Sequence, residues 1–186
     1  GMLLLSGGAC AGSNHMTVGA PTNAPTAWLE FCGRYAGQCG NKDTEHVWIV
    51  DSDPAFAELT RVNREVNARI RPVTDKDHWG VIERWDLPRD GKGDCEDYVL
   101  EKRRILMEEG VPSQVLLITI VKDETGDGHA VLTAHMQSGD YILDINSEDV
   151  RIWYDTGYTF LKRQSYDNEG QWVVIETPDI PTASIR

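Results

Sequence analysis

The stretch that decides the fold is Gly93-Asp94-Cys95-Glu96-Asp97-Tyr98, in which a cysteine stands at the start of a predicted helix. Two further stretches follow it in the chain, Gly128-His129-Ala130-Val131-Leu132 and Tyr141-Ile142-Leu143-Asp144. A cysteine at a helix start, followed by a histidine and an aspartate in successive strands, has the order and chemistry of a thiol nucleophile, its base and the group that orients the base. We therefore predict a cysteine hydrolase or acyltransferase built on these three side chains.

The nucleophile is predicted to be Cys95, in the first turn of a helix over residues 94–109. The preceding Gly91-Lys92-Gly93 allows a sharp turn into that helix. Unpaired backbone N–H groups and the positive end of the helix dipole stabilise a thiolate there, and the same N–H groups can hold an oxyanion. The alternative is a buried structural cysteine, a common fate of a lone cysteine. The polar flanks and the glycine-rich entry argue against that alternative.

An acidic flank surrounds the predicted nucleophile, formed by Asp94, Glu96 and Asp97. Carboxylates beside a thiol raise its pKa and oppose thiolate formation. Helix capping accounts for Asp94 as the N-cap and for Asp97, but not for all three acids. A bound Ca²⁺ would offset the charge and prefers carboxylate oxygens. Both interpretations of the flank, capping and a calcium site, stay open at this point.

The base is predicted to be His129 and its orienting group Asp144. Strand alternation puts His129 and His135 on one face of an otherwise apolar strand. Asp144 lies inside the next apolar strand, where a charge needs a partner. If residues 137–140 form the turn of a hairpin, Asp144 comes near the start of the histidine strand. A hydrogen bond between them would fix the tautomer and leave the other ring nitrogen facing Cys95. The alternative is a solvated histidine and a turn-capping aspartate.

Composition excludes several classes of function. The chain has 186 residues, 40% of them hydrophobic, which is enough for one domain with a sizeable core. Its net charge of -12 argues against a nucleic-acid partner, because phosphate binding needs a basic face. No apolar run approaches the ~20 residues that a membrane-spanning helix needs, so we expect no membrane insertion.

The order of elements predicts an α+β domain, with helices first and an antiparallel sheet after them. Residues 1–27 are expected to form an extended arm, in which Leu3–Ala11 suits either a signal-peptide remnant or an irregular segment. The domain is expected over residues 28–186. A helix capped by Asp53 precedes a loop over residues 73–92, and strands are predicted at 115–121, 129–136, 141–145, 160–164 and 172–176.

Two of the four cysteines, Cys32 and Cys39, are seven residues apart with two glycines between them. This spacing suits a small disulfide loop in an oxidising compartment. The alternative is a pair of free thiols in a cytosolic protein.

The quoted motifs resemble the bacterial transglutaminase-like cysteine proteinases over residues 25–176, including the periplasmic proteinases of the LapG type. The motifs that carry the resemblance are Gly93–Tyr98, Gly128–Leu132 and Gly139–Asp144, joined by the helix segment Val62–Asn67 and by Arg163-Gln164-Ser165. The resemblance implies a papain-like core with Cys95 as nucleophile, His129 as base and Asp144 as orienter. It also implies calcium at the acidic flank, on Asp94, Glu96 and Asp97.

The same resemblance implies a periplasmic or secreted endopeptidase whose substrate is a protein. Proteinases of the LapG type cut a surface adhesin, release cells from biofilms and are held inactive by a membrane receptor. The Cys32–Cys39 loop and the short arm look more like relatives that have no assigned substrate. Two rival interpretations stay open: an acyltransferase or deamidase on the same triad, and a non-catalytic binding module of the same fold.

Overall fold

The structure is a computed structural model that describes residues 14–40, 48–167 and 170–176. Its helices are α1 Thr26–Arg34, α2 Asp53–Arg69, α3 Asp75–Trp79 and α4 Cys95–Glu108. Its strands are β1 Val18–Thr22, β2 Arg71–Pro72, β3 Lys92–Gly93, β4 Leu116–Lys122, β5 Gly128–Met136, β6 Gly139–Asp144, β7 Ser147–Ile152, β8 Thr159–Gln164 and β9 Trp172–Ile175. Within these ranges no helix has the length and apolar character that crossing a membrane requires.

The main sheet has seven strands within the described ranges, in the order β1-β9-β8-β4-β5-β6-β7. Every neighbouring pair in it is antiparallel. This confirms the predicted α+β class. The predicted strands match β4, β5, β6, β8 and β9. Strand β7 was not predicted, because its mostly polar sequence is that of an edge strand with exposed side chains.

The two faces of the sheet have separate cores. Ala130, Leu132 and Ala134 of β5 pack on the side of α1, α2 and α4, together with Trp28 and Phe31. The alternate residue Val131 points to the opposite face, into a smaller cluster with Met16, Ile142 and Phe160. This is the alternation expected for a strand covered on both faces.

The N-terminal segment takes part in the sheet. Val18–Thr22, within the stretch predicted to be an extended arm, pairs with β9 as an edge strand. The suggested signal-peptide remnant Leu3–Ala11 lies outside the described residues. A disulfide joins Cys32 and Cys39, with 5.6 Å between their Cα atoms, and closes the turn after α1.

Two local corrections concern the segment before the predicted nucleophile. The N-cap of α2 is Ser52, whose Oγ accepts from Ala55 N at 3.2 Å, and Asp53 lies in the first turn instead. The predicted loop over 73–92 contains the short helix α3, capped by Thr74. The parallel pair of β2 and β3 fixes the ends of this segment, which places α3 beside the start of α4.

Candidate active site

The start of α4 carries Cys95 on a sharply turned entry. Gly91 has φ 76, a left-handed conformation that favours glycine. A Cβ on Gly93 would lie 2.6 Å from Cβ of Asp97, so the backbone approaches that side chain too closely for any other residue. Asp94 is the N-cap, and its N–H donates to Oδ2 of Asp97 at 3.3 Å. Capping thus accounts for one oxygen of Asp97, as the sequence suggested.

The thiol of Cys95 lies in a partly buried, negatively charged setting. It donates to Oε2 of Glu96 at 3.1 Å. Burial and the charge of Glu96 both raise the pKa of Cys95 far above its ordinary value, while a hydrogen bond from the backbone N–H of Ala130 acts in the opposite direction. Activation of this thiol therefore requires positive charge nearby.

His129 lies within hydrogen-bond distance of Asp144. The pairing of β5 with β6, in which Leu132 faces Leu143, brings the start of β5 near the end of β6. Nε2 of His129 is 2.7 Å from Oδ1 of Asp144, and both side chains are buried. The contact leaves the other ring nitrogen, Nδ1, available to a second partner.

Further donors hold the carboxylate of Asp144. The hydroxyl of Tyr158 donates to Oδ2, and the backbone N–H of Asn146 donates to Oδ1 at 3.2 Å. Burial raises the pKa of Asp144, but the hydrogen bonds from His129 and Tyr158 outweigh burial and lower it below the ordinary value. Asp144 is therefore ionised across the physiological pH range.

Cys95 and His129 line the same cleft, of about 580 Å³, with Asp94, Asn146 and the segment 71–74. The thiol also lies against the backbone of Ala130, the residue after His129. The fold thus brings Cys95 and His129 to one cleft, and the buried Asp144 is hydrogen-bonded to His129. A larger cleft of about 620 Å³ lies near Tyr35 and α4, and its described lining has neither cysteine nor histidine.

Three carboxylates form a cluster beneath the start of α4. One oxygen from each of Asp75, Asp94 and Asp97 lies within 4.8 Å of the others. Of the predicted acids, Asp94 and Asp97 belong to this cluster, whereas Glu96 lies against Cys95. Asp75 was not identified from the sequence, because it comes from α3 and only the tertiary fold brings it to α4.

The carboxyl groups in and beside the cluster resist ionisation when no cation is bound. Burial, together with the neighbouring carboxylates, raises the pKa of Asp97 to about 8 and of Asp75 to about 6. The same causes raise the pKa of Glu96, which is hydrogen-bonded to Asp94 next to the cluster, to about 9. Oδ1 of Asp94 is buried without a hydrogen-bond partner among the described residues. An orphaned carboxylate oxygen amid close acidic groups fits a hard cation with oxygen ligands.

Comparisons with known proteins identify the family and the fold. The sequence model of a family described as bacterial transglutaminase-like cysteine proteinase matches residues 18–179. The calcium-bound structure of LapG from Legionella pneumophila is similar, at 22% identity and a TM-score of 0.56, covering 83% of this chain and 82% of that chain. The EGTA-treated LapG structure is 24% identical, with a TM-score of 0.56 and coverage of 81% and 77%. These likenesses show a shared fold. No curated protein matches the chain.

Proposed function

The chain belongs to the bacterial transglutaminase-like cysteine proteinases, a family of cysteine peptidases, and we propose that it cleaves peptide bonds with Cys95, His129 and Asp144. The observation that carries the proposal is the hydrogen bond of 2.7 Å between His129 and Asp144 at the cleft that Cys95 lines. The hydrogen bond fixes the ring so that Nδ1 is the atom left to exchange a proton with the thiol.

The proposed reaction begins with proton transfer from the Cys95 thiol to Nδ1 of His129. The thiolate then attacks the peptide carbonyl, and the oxyanion is held by the backbone N–H of Cys95, which has no intrahelical partner at the start of α4. The imidazolium returns the proton to the leaving amine and leaves a thioester on Cys95. Water, deprotonated by His129, hydrolyses the thioester and restores the thiol. Asp144 stays ionised throughout and stabilises the imidazolium.

We propose Asp75, Asp94 and Asp97 as the residues that would hold a calcium ion. Glu96, which the sequence also suggested, adds a fourth carboxylate next to the thiol. When bound, the ion supplies positive charge that offsets the carboxylates around Cys95. Support comes from the buried Oδ1 of Asp94, which has no hydrogen-bond partner within the described ranges, and from the similarity to a LapG structure that contains calcium.

A peptidase acts on a protein, and we propose that this one does so in the periplasm or outside the cell. The Cys32–Cys39 disulfide supports such a location, because these bonds persist in oxidising compartments. A surface adhesin as the substrate and a membrane receptor as the inhibitor stay predictions that rest on family resemblance.

The test is incubation of the calcium-supplemented protein with a mixture of unfolded proteins, followed by mass spectrometry of newly formed N-termini. We expect new N-termini with the wild type and none with Cys95→Ser. His129→Asn should lower the rate by about 10⁶-fold, the scale found when a triad loses its base. Adding a labelled primary amine distinguishes the peptidase from the alternative functions. Incorporation of the amine without backbone cleavage would establish an acyltransferase. Absence of both reactions would establish a non-catalytic binding module.

A further inference from the structure

Lys102 is an unusual residue on the helix that begins with Cys95. Its side chain is 0% exposed, and Nζ has no hydrogen-bond partner among the described residues. An ammonium group in such a place is costly unless another charge compensates it. Lys102 is seven residues after Cys95, close to two helical turns, so it lies on the same side of α4 about 10 Å further along the axis.

The charged group that acts on Lys102 is Asp144. Burial lowers the pKa of Lys102 to about 7, and the negative charge of Asp144 acts against that decrease. The other charged groups of α4 nearby are engaged elsewhere. Glu101 bonds to Arg69 and Arg104, and the guanidinium of Arg103 donates to backbone carbonyls. Of the two buried cations of α4, Lys102 and Arg103, Lys102 is therefore the one without a hydrogen bond to the described residues.

The helix that packs against α4 carries hydrogen-bond acceptors that lack a donor in the described part of the chain. Helix α2 packs against both α4 and β6, and it contributes the neutral amides Asn63 and Asn67. Oδ1 of each amide is buried without a hydrogen-bond partner in the described part of the chain. Nδ2 of Asn67 donates to the carbonyl oxygen of Asp144 at 2.9 Å. Unsatisfied donor and acceptor atoms thus lie on two elements, α4 and α2, and α2 also contacts the backbone of Asp144; this is the kind of site that buried water fills.

Building on the proposed triad, we propose that Lys102 is a positioning residue whose buried ammonium acts through Asp144 to support the charge relay. The relay needs such a charge. When the thiolate and imidazolium form, Cys95, His129 and Asp144 together carry one net negative charge, and the carboxylates near Cys95 add to it. A cation that interacts with Asp144 favours the ionised, fixed carboxylate that holds the imidazolium.

A functional role and a structural role of Lys102 predict opposite changes in the free energy of unfolding when the lysine is replaced. A lysine kept for stability would destabilise the protein when it is replaced. A buried charge kept for function destabilises the folded state, so an apolar side chain of similar length should leave the fold equally or more stable. Lys102→Met keeps the length of the side chain and removes the charge. Arg103→Met is the matched control, since Arg103 is the neighbouring buried cation of α4 and its hydrogen bonds are directed away from Asp144.

The experiment measures the rate at which iodoacetamide alkylates Cys95 at pH 6, where Lys102 is charged, by peptide mass spectrometry, with thermal melts alongside. Four proteins form a double-mutant cycle: wild type, Lys102→Met, Asp144→Asn and the double variant. We expect Lys102→Met to lower the rate by about tenfold in the wild-type background and by less than about twofold in the Asp144→Asn background. The Arg103→Met variant should keep the wild-type rate.

Each outcome of the cycle either supports or overturns the proposed role of Lys102. Equal slowing in both backgrounds, or no slowing in either, overturns the role of Lys102. A wild-type rate no faster than that of glutathione instead contradicts the proposed triad, so the two failures are distinguishable. If Lys102→Met does not fold, Lys102→Gln replaces it in the same cycle.

Discussion

The hydroxyl of Tyr158 donates a hydrogen bond of 2.5 Å to Oδ2 of Asp144, the oxygen that His129 leaves open. Burial and this bond to a carboxylate raise the pKa of Tyr158 to about 12, so the tyrosine remains a donor at physiological pH. Its ring also packs edge-on against His129, with 5.6 Å between the ring centroids. Tyr158 thus supports both members of the pair.

Removing this hydroxyl should weaken the relay. We expect Tyr158→Phe to lower the rate of Cys95 alkylation about tenfold, because the carboxylate loses a charge-assisted bond and is less firmly placed. The cost in unfolding free energy should be about 1–2 kcal/mol. Tyr154→Phe is the control, since Tyr154 is more exposed and its hydroxyl contacts Asn14. Equal effects of the two variants would contradict the assignment.

Replacing Gly93 should disturb the acidic cluster. Gly93→Ala would put a methyl group 2.6 Å from Cβ of Asp97, so α4 or its entry must shift. We expect a loss of about 1–3 kcal/mol in a urea titration and a weaker response to calcium. Gly33→Ala is the matched control, because no atom of the described residues lies within 4 Å of its added Cβ and alanine favours the helix. Its stability should be unchanged or higher.

Calcium should reverse the order of stability of the wild type and Asp75→Asn. Without the ion, removing one of the close carboxylates relieves repulsion, so the variant should melt at or above the wild-type temperature in EGTA. With the ion, the variant should gain less stability, whereas the wild type should gain about 2.7 kcal/mol at a hundredfold excess over Kd.

The control for the calcium prediction is Asp123→Asn, because Asp123 lies in the exposed turn between β4 and β5. Its response to calcium should equal that of the wild type. Calorimetric titration measures the affinity directly, and an unchanged affinity in Asp75→Asn would remove Asp75 from the proposed ligands.

The buried lysine predicts a pH-dependent stability difference. The pKa of Lys102 is about 7 in the folded protein and 10.5 in its unperturbed state. Between these values the unfolded chain binds more protons at this residue, so its contribution to stability rises with pH. Stability from this residue is therefore lost as pH falls toward 7. We expect the advantage of Lys102→Met over the wild type, measured in urea, to be larger at pH 6 than at pH 9.

Local patterns in the sequence were sufficient to predict the helix and the two strands that carry the proposed triad. Alternation in β5 and the following turn implied that Asp144 returns toward His129, and the structure contains that hydrogen bond. The glycine-rich entry and the polar first turn located the start of α4. These features are encoded within a few residues of one another, so they can be read without tertiary information.

The residues that the sequence did not reveal come from distant segments. Asp75 reaches the acidic cluster only because the parallel pair of β2 and β3 brings α3 to α4. Tyr158 follows β7, a polar edge strand whose composition resembles a loop. Lys102 stands among charged residues of α4, a composition typical of a solvent-exposed helix face. Only packing against α2 and the sheet buries it. Spatial neighbours of this kind leave no local pattern.

The pairing of β1 with β9 has a consequence for how the molecule assembles. Val18 and Ile175 are partners in the register, so this edge of the sheet cannot close until nearly the whole domain has been synthesised. Such distant pairing implies slow folding that is completed after translation. It also brings residues 18 and 175 together, so a circular permutant that keeps the buried Met16, links the chain beyond this pair and opens the exposed turn at residues 123–127 should still fold.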